Sequence, residues 1–224
     1  MLITSSVAKR LVEARFAPGA QHYPDMLGSF IRHGLSREEA AGEALLQVVA
    51  GSDTTAGTIR TIMLGLLTNP AAYEKLKSEI NAGIASAKIS SPVKDAEGRQ
   101  MPYLQAVIRE GLRLMPPASG AFFKQVPPEG DTINGMFIPG GTQIGSSPLA
   151  IHRSKMIFGA DADLFRPDRW LVASPETFVR MANTVDLVFH YGKWQCLGKS
   201  VAQMELNKIF VEVKRVAFNG ILCY

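Results

Sequence analysis

Cysteine is scarce in this chain: Cys196 and Cys223 are the only two in 224 residues. Two cysteines are too few for a disulfide scaffold, which fits a reducing environment or a cytosol-facing domain. Long apolar runs are also missing. The longest uncharged stretch, 132 to 152, is broken by Asn134-Gly135, Pro139-Gly140-Gly141 and Pro148, so no transmembrane helix follows from it. The net charge of +4 arises from scattered Lys and Arg, without the clustering that would mark a nucleic-acid or membrane patch. Internal repeats and low-complexity linkers are absent too. The basic start carries Lys9, Arg10 and Arg15, yet Glu13 and the apolar spacing suit an amphipathic helix better than a transit peptide. What remains is a chain with 46% apolar residues, enough for one sizeable domain or one lobe.

Ser36-x-x-Glu39 has the form of a capping box, and the apolar pattern behind it predicts one long helix running through Leu67 until Asn69-Pro70 stops it. Its centre, Gly51-Ser-Asp-Thr-Thr55 with Gly57, is built of poor helix formers, glycine alone costing about 1 kcal/mol relative to alanine. A weak centre in a long helix invites a functional explanation. Asn69 and Pro70 then predict a second helix to about Ala85, followed by a polar loop from Ser90 to Arg99. Pro102 opens a third helix, with Leu104, Val107, Ile108 and Leu112 on one stripe, ending at Met115-Pro116-Pro117. Short strands are expected around 122–123, 133, 136–138 and 143–144, with Asn134-Gly135 forming a hairpin. From Pro148 to Pro175 the pattern predicts a short helix and irregular chain, then a glycine-bearing turn after Gly192 and a last helix from about Leu197 to Ala217. The fold class is mainly α with a small β-sheet.

Three segments carry chemistry. In Phe189-His-Tyr-Gly192-Lys-Trp-Gln-Cys196-Leu-Gly198 a turn delivers a cysteine to the beginning of a helix, where amides and the helix dipole favour thiolate. Gly192 permits the tight turn, and Gly198 lets a flat ligand come close to the helix. A soft anionic sulfur so placed suits iron, although a lone cysteine there also reads as a small buried core residue. Glu110 and Arg113, three apart on the third helix, share a face and can pair; Arg169 can complete a network with them. As an exposed pair the first two would contribute under about 1 kcal/mol. At the weak helix centre, Asp53 and Thr54 beside Gly51 offer an acid and a hydroxyl at a small-residue gap, suited to a diatomic ligand and proton relay, or simply to helix contact through Gly51. Gly198-Lys199-Ser200, with Leu187-Val188-Phe189 as its strand, also resembles the end of a phosphate-binding loop, but the glycine that loop needs would fall at Lys193.

In this order and spacing the three segments resemble the signature set of the cytochrome P-450 family, over almost the whole chain. The resemblance implies the C-terminal haem-binding lobe of that fold, with 1–224 one incomplete domain of a chain about twice as long. It implies haem as cofactor with Cys196 as axial ligand, Phe189, Gly192 and Gly198 shaping its loop, and Asp53 and Thr54 delivering protons. Pro167 and Arg169 would complete the network of Glu110 and Arg113. Trp194 stands where the family usually has a propionate-binding Arg or His, so Lys124 is expected to carry more of that task, with His152 as a lesser helper. The activity implied is a haem-thiolate monooxygenase that inserts one atom of O2 into a small organic substrate. Its electrons would come from a flavoprotein reductase or an iron-sulfur protein, since no flavin or nicotinamide site is legible. The implied location is the endoplasmic reticulum membrane, cytosolic face, although no anchor is legible in the chain. The spelling around Cys196 is similar to fungal members related to pisatin demethylase. The alternatives are a truncated haem-binding fragment without turnover and, from the phosphate-loop likeness, a nucleotide binder.

Overall fold

The computed structural model describes residues 2–120 and 122–217; Cys223 lies outside them. The chain divides into two compact units, Met1–Ala56 and Gly57–Tyr224.

The first unit holds α1 (Leu2–Phe16), α2 (Met26–Arg32) and the first part of α3 (Arg37–Leu67). The expected amphipathic face of α1 is narrow: Ala8 and Val12, one turn apart, are buried while Leu11 is exposed. Asp25 caps α2 by accepting the Gly28 N–H at 2.7 Å. Its carboxylate also receives both Arg15 guanidinium nitrogens, at 2.7 and 2.9 Å. The bond from Arg15 and then the Gly28 amide hold Asp25 well below the usual carboxylate range, at about 2. Ser36 and Glu39 form the expected capping box of α3, the Ser36 amide donating to Glu39 at 2.8 Å and the Glu39 amide to Ser36 Oγ at 3.3 Å. The helix runs unbroken through its weak centre to Leu67.

The second unit is organised on α6 (Pro102–Leu114), whose Leu104, Val107, Ile108 and Leu112 are all buried. Each such side chain stabilises the fold by roughly 1.5–3 kcal/mol. Gly111 allows the last part of α3 to cross α6 closely, since a Cβ there would lie 2.1 Å from Ile62. The second expected helix, α4 (Pro70–Ala85), is capped by Asn69 and buries Ala72, Leu76 and Ile80. Glu79 of α4 accepts the amides of Tyr103 and Leu104 at 2.8 and 2.9 Å, so the start of α6 is capped by a neighbouring helix.

The polar loop expected over Ser90–Arg99 contains a short helix, α5 (Asp95–Arg99). Glu97 accepts the amides of Ser90 and Lys94, both at 3.0 Å, and Asp95 accepts from Asn207 at 2.8 Å. The polar residues that suggest a solvated loop are the ones that cap this helix and tie it to α11 (Lys199–Ala217).

The four strands occur where expected, as two separate antiparallel pairs: β1 (Phe122–Gln125) with β4 (Gln143–Ser146), and β2 (Asp131–Ile133) with β3 (Met136–Ile138). Asn134 and Gly135 turn the hairpin with φ of 50° and 78°, the doubly positive turn that Asn-Gly favours. Between β4 and α11 the chain is more helical than expected, with α7 (Pro148–His152), α8 (Lys155–Phe158), α9 (Arg169–Val172) and α10 (Pro175–Asp186). Ser174 and Pro175 are an N-cap and first-turn pair that announce α10. Among the described residues, no helix is long and apolar enough to cross a membrane.

Candidate functional site

Glu110 and Arg113 lie one turn apart on α6 and are fully buried. Arg113 Nη2 donates to Glu110 Oε1 at 2.8 Å and Nε to Oε2 at 3.0 Å. Arg169, at the start of α9, donates through Nε to Oε1 at 3.0 Å. The Arg166 amide and the Trp170 indole N–H complete the set, at 2.9 Å each. One carboxylate thus receives five donors, from α6, α9 and the chain just before α9, and no buried side-chain nitrogen or oxygen among the described residues lacks a partner. Arg113 also donates to the carbonyls of His152, Ala162 and Leu164, and Arg169 to those of Phe158 and Asp161. The two guanidinium forks therefore hold the irregular chain between α7 and α9 in place. Trp170 is a member that the spacing alone does not single out, although it adjoins Arg169.

His152 does not fit a role toward a propionate. It is buried, with Nδ1 2.8 Å from the Pro148 carbonyl and Nε2 2.9 Å from that of Thr184. Burial pushes its pKa down, and the neighbouring Arg113 adds to that.

The cysteine segment begins at a 3₁₀ turn, Leu187–Phe189, rather than at a strand. That removes the strand a phosphate-binding loop needs, and Lys199 is already engaged: its Nζ meets Asp186 at 2.6 Å and lies 5.4 Å from the centre of the Phe189 ring. His190 follows with φ of 60°, a conformation costly for a non-glycine residue, and its ring meets Phe122 edge-on at 4.2 Å. Gly192 has φ of 64°, so glycine is needed there for the backbone.

Cys196 lies three residues before α11 and its thiol is free and exposed. Its backbone N–H donates to the Phe189 carbonyl at 2.8 Å, so buried Phe189 anchors the loop from beneath. At Gly198 a Cβ would lie 3.8 Å from Cys196 Sγ, an ordinary contact. The protein itself therefore has room for a side chain at 198, and what the glycine leaves open is the flank of the sulfur. In the same loop Tyr191, Trp194 and Leu197 are exposed by 80%, 62% and 85%, large apolar surface that a protein ordinarily buries. Lys124 shares a face of β1 with Phe122, the residue that touches His190. Trp194 makes no hydrogen bond to a described residue, but Lys193 Nζ lies 5.0 Å from its ring. A free soft donor with an open flank, in a loop with exposed apolar side chains, fits a planar iron-bearing group.

Asp53 and Thr54 belong to the first unit. Asp53 is exposed, and the Thr54 hydroxyl donates to the Ala50 carbonyl one turn back at 2.7 Å.

The family model for Cytochrome P450 matches residues 20–213. Cytochrome P450 monooxygenase ABA1 of Pyricularia oryzae is 49% identical over 208 residues, covering 92% of this chain and 41% of that protein. Cytochrome P450 monooxygenase aba1 of Botryotinia fuckeliana is 46% identical over 210 residues, with 94% and 41% coverage. Cytochrome P450 monooxygenase abl1 of Leptosphaeria maculans is 44% identical over 205 residues, with 92% and 36% coverage. The chain thus spans about two fifths of the length of these relatives.

Proposed function

The chain belongs to the cytochrome P450 family, and from that premise we propose that it supplies the haem-bearing part of a monooxygenase, with Cys196 as the axial thiolate. The observation that carries this reading is the exposed Cys196 sulfur, flanked by Gly198 and backed by Phe189. When bound, haem would supply dioxygen activation, and thiolate donation favours splitting of the O–O bond.

The chain's own residues would have distinct tasks. The Phe189 carbonyl fixes the Cys196 backbone and so the direction of the sulfur. Lys124 meets a propionate charge, while Trp194 can offer one N–H and no charge. The buried carboxylate of Glu110 keeps Arg113 and Arg169 in register, and these hold the chain that leads to the loop. Asp53 would hold and pass protons. Thr54, whose hydroxyl donates to the Ala50 carbonyl, would share that task. The electron donor would be a flavoprotein reductase or an iron-sulfur protein, and the substrate a small organic molecule.

The test is to express the chain with haem supply and record the reduced carbonyl complex. The red-shifted Soret band of thiolate ligation is expected from wild type and from Cys223→Ser, and not from Cys196→Ser. Its absence from wild type, or its survival in Cys196→Ser, would refute the assignment. If wild type binds haem but consumes no NADPH with a reductase and candidate substrates, the chain is a haem binder without turnover.

A further inference from the structure

Behind the cysteine loop, between α6, α10 and α11, lies a cleft of about 280 Å³. That volume equals the share of roughly nine waters in the liquid, enough for a small organic molecule. Its lining includes Arg99, Arg109, Asn183, Gln203 and Phe189. Among the described residues Arg109 makes no hydrogen bond and no ion pair; its guanidinium rests 5.3 Å from the centre of the Phe178 ring. It is half-buried; loss of hydration works against its charge, and the nearby Asp186 carboxylate offsets that only in part. Asp186 also lines the cleft, but its carboxylate is bonded to Lys199 at 2.6 Å. The side-chain amides of Asn183 and Gln203 are likewise unbonded to described residues. Arg99 uses its Nε on Asp95 at 2.7 Å, which leaves its terminal nitrogens available.

A partly desolvated guanidinium with five unused donors is costly to leave as it is, and a carboxylate matches its planar fork with two charge-assisted hydrogen bonds. We propose that this cleft binds a small organic carboxylate, with Arg109 as its principal anchor and Arg99, Asn183 and Gln203 around it. The bound anion would sit behind Phe189, whose carbonyl orients the Cys196 backbone.

Calorimetric titration of the chain with succinate at fixed ionic strength tests this, with succinamide as the uncharged counterpart. Saturable binding is expected for succinate and not for succinamide. Arg109→Gln should weaken it at least tenfold, and Gln203→Ala severalfold. Thermal unfolding verifies that each variant is folded; if Arg109→Gln is not, Gln203→Ala carries the test. No saturable binding to wild type, equal binding of succinamide, or undiminished binding by the folded variants would overturn the proposal. The measurement uses no haem, so its failure would leave the thiolate assignment standing.

Discussion

The network around Glu110 and the loop around Cys196 belong to the same unit, yet they treat polar chemistry in opposite ways. The network takes three charges out of water and meets every one with donors or acceptors from α6, α7, α9 and the chain between them. The loop keeps a free thiol and three large apolar side chains exposed, with backbone bonds as its main internal support. The first region is complete in itself. The second, on the proposed reading, is completed by haem. Support and chemistry are thus separated: the costly buried charges sit where geometry must not change, and the site they serve stays open.

The largest effect expected from this contrast is on stability, at the network. Glu110→Gln should destabilise the protein by about 3–5 kcal/mol, because Arg113 is left buried without a countercharge and Arg169 keeps only the part-exposed Asp161 at 3.1 Å. Denaturant unfolding measures it, and a loss below about 1 kcal/mol would mean that the network is no more than a surface pair. At the loop the sign of the comparison reverses. Gly198→Ala should change stability by less than about 0.5 kcal/mol, since its Cβ meets nothing closer than 3.8 Å. The same variant should lose haem faster than wild type in a transfer assay to apomyoglobin, because the methyl covers the flank of the sulfur. Equal haem retention would mean that an open flank is not what the glycine provides.

The smallest effect concerns an exposed ion pair, a control for how much burial matters to the network. Asp25 has its pKa lowered to about 2 in the folded state, against about 3.9 unfolded. A depressed carboxyl contributes stability that is present above the unfolded value and lost as pH falls toward 2. Urea midpoints of wild type should therefore decline a little more than those of Asp25→Asn between about pH 4 and 2. Parallel curves would show that the Arg15–Asp25 pair contributes nothing.

Much of the architecture is legible in the sequence because it rests on local rules. Ser36 with Glu39, Asn69 with Pro70, Pro102, and Asn134-Gly135 each announce an element by chemistry within four residues, and each element is there. The short α5 escapes such a reading because its signal, Glu97 closing back on Ser90 and Lys94, resembles ordinary loop polarity. The propionate role expected of His152 is excluded by its burial, and nothing near it in the chain announces that Thr184 seals its far side. Trp170 as a donor to Glu110, and Arg109 lining the cleft with its guanidinium over the Phe178 ring, come from contacts between distant segments.

By itself the sequence determined the helix starts, the hairpin, the motif order and the cysteine poised before a helix, because caps, turns and periodicity act over a few bonds. Only the tertiary structure decided that Glu110, Arg113 and Arg169 are sealed from water while Cys196 is not. Burial depends on which remote surfaces meet, and that is a property of the packed chain rather than of any segment within it.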